Sequence, residues 1–404
     1  MAAAYPRGHR TESDDIAPAG DTLEAVANPD RSTDVLVIGG GQAGLSAAYF
    51  LHRFGLGERY QLLDHAPGPG GAWQFRWPTL TLAAANGVHD LPGYGISEAL
   101  GRDSDTVPAA TAVPEYFGSY ERRYGLRIRR PFGVRRVDHG PGGFVATLGD
   151  GTTIDTRTII NATGTWERPF IPHVPGIADF GGRQLHTHDY VGPEQFADQR
   201  VLVVGAGISA VQLLIEIARD SPGVQTFWCS RSEPAFDPTP FDPEKGRRAV
   251  ARVEERVRAG LPPTSVVSVT GLPLTPAISE AQADGILRWR PMFTRITETG
   301  VCWDCGLGNG SGFDGEDDHL DVDVIFWNTG FRSALDHLAP LRLRSAGGGI
   351  TMTGRLATTV AADPRIQLVG YGPSASTIGA NRGGREAARN VADILDRQRS
   401  IINT

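Results

Sequence analysis

The sequence predicts an α/β protein with two Rossmann-like dinucleotide-binding domains, and three observations predict it. A β-branched run, Asp34 to Ile38, leads directly into Gly39-Gly-Gly-Gln-Ala-Gly44 and a helical stretch from Leu45 to Phe54 that Gly55 closes. The same grammar recurs at Val201 to Val204, then Gly205-Ala-Gly-Ile-Ser-Ala210, then Val211, Leu214, Ile215 and Ala218 on one helical face. Downstream of each unit a β-rich stretch ends in a similar tag, Asn161-Ala-Thr-Gly164 and Asn328-Thr-Gly330.

The remaining elements follow in chain order. The first 32 residues are polar and Ala/Pro-rich without an apolar core, so a disordered tail is expected rather than a signal peptide. Tyr60 to Leu63 is the next short strand, and Phe144 to Ile160 alternates about a Gly149-Asp-Gly151 turn, the pattern of a hairpin. After the strand Val224 to Trp228, the stretch 234–290 is Pro-rich in places. It carries a charged helical piece, Pro243 to Ala259, expected to be a solvated excursion from the second domain. Asp321 to Trp327 and Ile366 to Gly370 are further strands, and a last helix is expected from about Gly384 to Arg397.

Composition narrows the function classes. With 39 Lys and Arg against 46 Asp and Glu, the net charge of −7 argues against nucleic acid or an anionic membrane as partner. The longest apolar stretch, Val201 to Ala218, is interrupted by Gly205, Gly207, Gln212 and Glu216, so no membrane span is expected. Three cysteines, Cys229, Cys302 and Cys305, form no disulfide framework, and the expected location is the cytoplasm.

The glycine turns carry the chemistry. A pyrophosphate requires backbone N–H groups and a helix N-terminus at close range, which Gly39, Gly41 and Gly44 permit. Asp64, at the end of the following apolar run, is placed to accept hydrogen bonds from ribose hydroxyls. In the second unit Gly205 and Gly207 repeat the turn and Ala210 replaces the third glycine. The strand after it ends in Cys229-Ser230-Arg231 with no carboxylate, so Ser230 and Arg231 are candidates for a 2′-phosphate, favouring NADPH over NADH. Two dinucleotide sites in one chain bring a nicotinamide face to face with a second redox cofactor, for which FAD is the expected partner.

On these motifs the chain resembles the two-dinucleotide-domain flavoproteins, and among them the flavin-containing monooxygenases with their bacterial and YUCCA-type relatives. Gly70-Gly71-Ala-Trp73 is similar to that family's G-G-x-W, whose aromatic lies against the flavin. The tags at 161–164 and 328–330 resemble the linkers that cross between its FAD and NADPH domains. Phe180, Gly182, His186 and Tyr190 fit the family's fingerprint F-x-G-x-x-x-H-x-x-x-[YF], whose Baeyer–Villiger relatives end in Trp. The resemblance implies an FAD domain of residues 33–168 plus 322–404 and an NADPH domain of 169–321, with Gly370 and Gly372 near the flavin. It implies an enzyme that uses NADPH, FAD and O₂ to form a C4a-hydroperoxyflavin and oxygenates a small organic substrate at nitrogen, sulfur or an activated carbon. Where relatives carry Asn or His near the flavin, this chain has Ala83, with Asn86 three residues on. The implied peroxide then lacks a donor and is expected to be short-lived.

Two other functions stay open on the sequence. Cys302-Trp-Asp-Cys305 has the spacing of a redox dithiol, which would make the chain an NADPH-dependent disulfide reductase, and a redox-sensing module with little turnover needs only the two cofactors. His186, His188 and Asp189 make a conceivable metal cluster, but the fingerprint already accounts for His186, so no metal is expected.

Overall fold

The structure, a computed structural model, describes residues 30–85, 88–101, 105–239, 243–264, 271–303 and 318–402. The expected disordered tail lies outside them except for its last three residues. So do Asn86 and Cys305.

The first domain is built on strands β1 (Ser32–Ile38), β2 (Tyr60–Leu63), β3 (Ile128–Arg129), β4 (Val134–Gly140), β5 (Gly143–Leu148) and β6 (Thr153–Asn161). β3, β2, β1 and β6 lie side by side and parallel, and β5 returns antiparallel along β6 to form the expected hairpin. Every residue of β2 is buried, and Val35 to Ile38 of β1 are buried too, as a parallel strand covered on both faces requires. Helices α1 (Gln42–Arg53), α2 (Ile96–Leu100) and α3 (Ala109–Tyr124) belong to this domain.

The second domain begins with β7 (Arg183–His186), β8 (Arg200–Val204), α4 (Ile208–Asp220) and β9 (Gln225–Ser230). A small parallel pair, β10 (Phe236–Asp237) and β11 (Leu272–Pro273), flanks α5 (Pro243–Arg258). Then come β12 (Trp289–Pro291), β13 (Arg295–Ile296), β14 (Gly300–Cys302), β15 (His319–Asp321) and β16 (Val324–Trp327). The second parallel sheet runs β12-β9-β8-β16-β7, while β13, β14 and β15 form a separate antiparallel sheet. The chain then re-enters the first sheet through β17 (Met352–Thr353), β18 (Thr359–Val360) and β19 (Ile366–Leu368), the last parallel to β6. It finishes in a helix, Thr377–Ile402, packed along α1.

Three expectations need correction. The boundary at 322 is too early, because β16 pairs with β8 and β7, so the second domain keeps the chain through Trp327. Helix α5 is not a solvated excursion. Ala249, Val253 and Val257, four residues apart, are buried, and Val257 joins the apolar cluster of Leu335, Leu338, Leu341 and Tyr371 in the first domain. The last helix starts at Thr377 rather than near Gly384. Gly383 and Gly384 lie within it, and Gly384 brings its backbone against Ser46 of α1.

Candidate functional site

The two glycine turns sit at the carboxyl ends of β1 and β8, each opening a helix, where an open parallel sheet binds ligands. Gly39 has φ +104°, and a Cβ there would lie 2.6 Å from the Ala162 carbonyl oxygen on the neighbouring strand end. Gly44 is more constrained, since its Cβ would fall 1.9 Å from the Gly39 oxygen; with any side chain there, α1 cannot seat against β1. A Cβ on Gly71 would come within 2.8 Å of the Gly41 Cα, so these two glycines face each other without side chains across the floor of a cleft.

That cleft has a volume of about 500 Å³. It is lined by Gly39, Gly41, Gly71, Trp73, Asp64 and Gly370 among the expected residues. The floor is bare backbone at the N-terminus of a helix, and a carboxylate stands beyond it, an arrangement that fits the pyrophosphate and ribose of a dinucleotide. Asp64 is buried, and one of its oxygens is fixed by the Arg130 guanidinium at 3.0 Å. Arg130 in turn grips both oxygens of Glu121 at 2.8 Å. The pair settles the orientation of Asp64, and Arg130, carried just past β3, had no mark in the sequence to announce it.

Gly372 and Ala83 are not brought to the cleft lining. Gly372 is buried against Val257 of α5, so its role is packing. Ala83 is exposed on its loop, where its N–H donates to the Asp105 carbonyl at 3.1 Å. The structure instead adds Arg76, Trp166 and His337 to the lining. His337 sits at 2.7 Å from the Asn161 side-chain oxygen, and burial pushes its imidazole down to about 4. The unfolded chain therefore takes up this proton first as the pH falls below 6.5, and stability is lost progressively from there toward pH 4, with nothing lost above 6.5. His337→Gln, which keeps a donor toward Asn161, should flatten the drop in urea midpoint between about pH 7 and pH 5. An unchanged slope would mean that other groups carry it.

At the second turn, Gly205 has φ +151° and would place a Cβ 2.3 Å from the Asn328 carbonyl, while Gly207 caps α4 with open space beside it. Ala210 is fully buried on α4. Ser230 is buried as well, its hydroxyl donating to the Ser232 carbonyl at 2.7 Å and accepting from the Trp289 indole at 2.9 Å, so its proton is already spent. Arg231 is exposed and makes no ion pair among the described residues.

The fingerprint residues join the two halves. His186 is buried, accepts from the His188 N–H at Nδ1 and donates from Nε2 to the Gly330 carbonyl at 3.0 Å, which occupies both ring nitrogens and leaves neither for a metal. Burial lowers its basicity further. Tyr190 donates to Glu216 of α4 at 2.8 Å, and Thr79, on the loop after the G-G-x-W segment, donates to the same oxygen at 2.7 Å. One carboxylate thus ties the first domain's loop to the second domain's helix.

Fold and site together define a two-dinucleotide flavoprotein oxidoreductase. The chain belongs to the pyridine nucleotide-disulphide oxidoreductase family, whose model matches residues 36–244, and within it to the flavin-containing monooxygenase-like group. As a member it is an oxidoreductase built to bind a flavin and a pyridine nucleotide. It is similar to the solved structure of a flavin-containing monooxygenase from Stenotrophomonas maltophilia, with 33% identity, covering 91% of this chain and all of that one at a TM-score of 0.73. It is 29% identical over 227 residues to Baeyer-Villiger monooxygenase 4 of Dietzia sp., covering 52% of this chain and 36% of that one. An uncharacterized CzcO-like oxidoreductase of Geobacillus kaustophilus is 29% identical over 187 residues, 46% of this chain and 52% of that one. The chain spans about half the length of the curated relatives it matches, or less. No helix among the described residues is long and apolar enough to cross a membrane.

Proposed function

We propose that the chain is an NADPH-driven, FAD-dependent monooxygenase that places one oxygen atom of O₂ on a small organic molecule. The observation that carries this reading is the side-chain-free cleft floor of Gly39, Gly41 and Gly71, together with a second, independent glycine turn at Gly205 and Gly207 opening α4. Bound FAD supplies hydride acceptance from NADPH and the activation of O₂. The chain's own residues do the positioning: the turn amides and the α1 N-terminus take the pyrophosphate, Asp64 takes a ribose, and Arg231 takes the 2′-phosphate. The Glu216 contacts with Thr79 and Tyr190 tie the two domains together beside the sites. The similarity to the Stenotrophomonas enzyme along its whole length supports this reading.

The disulfide-reductase reading loses support from the position of its candidate dithiol. Cys302 is disulfide-bonded and buried in β14, in the antiparallel sheet of the second domain, and it is not among the residues lining the cleft. Replacing both Cys302 and Cys305 by Ser should leave NADPH-dependent flavin reduction and O₂ uptake per bound FAD largely intact, since Cys302 does not line the cleft. Loss of turnover with FAD content preserved would reinstate the reductase. The general test is a panel of amines, sulfides and ketones assayed for NADPH-dependent O₂ uptake, with products identified by mass spectrometry.

A further inference from the structure

Resting on that reading, we propose that Arg76 is the anion-binding residue of the cofactor cleft and that the molecules oxygenated there carry a carboxylate. Arg76 follows the short 3-10 segment Gly71–Phe75, and its N–H donates back to the Trp73 carbonyl at 3.1 Å, which turns the side chain into the cleft lining. The guanidinium lies 4.2 Å from the Trp166 ring centroid and 5.7 Å from that of Trp73. These faces hold the cation in place without consuming its N–H donors. Its Nε is buried with no hydrogen-bond partner among the described residues.

The charges of the lining show what is left over. Asp64 pairs with Arg130, and the Glu167 carboxylate lies 3.2 Å from His65 Nε2. His337 is neutral above its lowered range. Arg76 is the only arginine or lysine among the described residues of that lining, and it forms no ion pair with any of them. Burial alone pulls its guanidinium down to about 10, as expected of a cation with no anion beside it. The dinucleotide phosphates already have their amide cradles at the two glycine turns, so this fork is surplus to cofactor binding. Its planar donor edge matches a carboxylate bidentately, and an arriving anion recovers the cost of burying the charge.

The test titrates benzoate into the FAD-loaded, oxidised protein and follows the flavin absorbance, with benzyl alcohol as the neutral analogue and inorganic phosphate as a second anion. Benzoate should perturb the flavin spectrum of the native protein. In Arg76→Met, and equally in Arg76→Gln, its affinity should fall by about 10-fold or more, while benzyl alcohol binds as before. FAD content is read in both variants alongside, so that a lost cofactor is told apart from a lost acid site. Benzoate binding that is absent from the native protein, or equal in the variants, overturns the proposal. So does loss of FAD from both variants, or competition by phosphate that matches benzoate, because Arg76 would then serve a cofactor phosphate. Failure of the native protein to hold FAD or accept hydride from NADPH would instead sink the monooxygenase reading itself.

Discussion

Gly44→Ala should abolish most FAD binding while leaving the second domain's nucleotide site in place. The new Cβ would lie 1.9 Å from the Gly39 oxygen, and the atom it meets is backbone, so either α1 lifts from β1 or the turn opens. Overpacking of this kind costs about 1 to 3 kcal/mol, which at about 1.4 kcal/mol per decade predicts a rise in the FAD dissociation constant of about 5- to 140-fold. Gly207→Ala is the matched control at the other turn: its Cβ meets nothing within 4 Å and its φ of −88° suits any residue. That variant should keep its FAD and its thermal midpoint and lose only affinity for the nicotinamide dinucleotide, whose phosphates need the space. Fluorescence titration with FAD reads the first effect and flavin reduction against NADPH concentration the second. Equal FAD affinity in Gly44→Ala and the native protein would mean that the turn does not hold the pyrophosphate.

Arg231→Ala should weaken the use of NADPH far more than that of NADH. Arg231 is exposed at the end of β9 with no ion pair among the described residues, which leaves its guanidinium available to a 2′-phosphate. A hydrogen bond to a charged group contributes about 1.5 to 3 kcal/mol, so the preference ratio should fall by about 10- to 150-fold. Ser230→Ala should change that ratio little, because the Ser230 hydroxyl is committed to Ser232 and Trp289. Steady-state kcat/KM for the two nucleotides decides it. Equal losses for both would show that Arg231 does not touch the phosphate.

Much of the architecture was legible in the sequence because local chemistry dictates it. Gly39, Gly44 and Gly205 mark backbone approaches that no other residue permits, and the strands before them are short, β-branched and largely buried. Contacts between distant segments were not legible. The apolar stripe of α5 is only Ala249, Val253 and Val257 in a run of charges, and its target comes from residues 335–371. Ser230 has the look of a free hydroxyl until Trp289 and Ser232 claim it. Arg76 carried no signal at all, because a half-buried arginine without an ion pair reads in sequence like any surface cation. Ala83 matches a flavin-facing position of the family loop by sequence alone, yet in the structure it stands on the exposed side of that loop.

For the chain to be a monooxygenase, oxygen from O₂ must end on an organic product through these two cofactors. The direct measurement supplies isotope-labelled O₂ and NADPH to the FAD-loaded protein with the amine, sulfide and ketone panel, extended to acids of the kind Arg76 would bind. Products are then weighed by mass spectrometry. The expected result is a product bearing one labelled oxygen atom for each NADPH spent on it, dependent on FAD. Consumption of NADPH with all the label recovered as hydrogen peroxide or water, and no labelled product from any member of the panel, would contradict it.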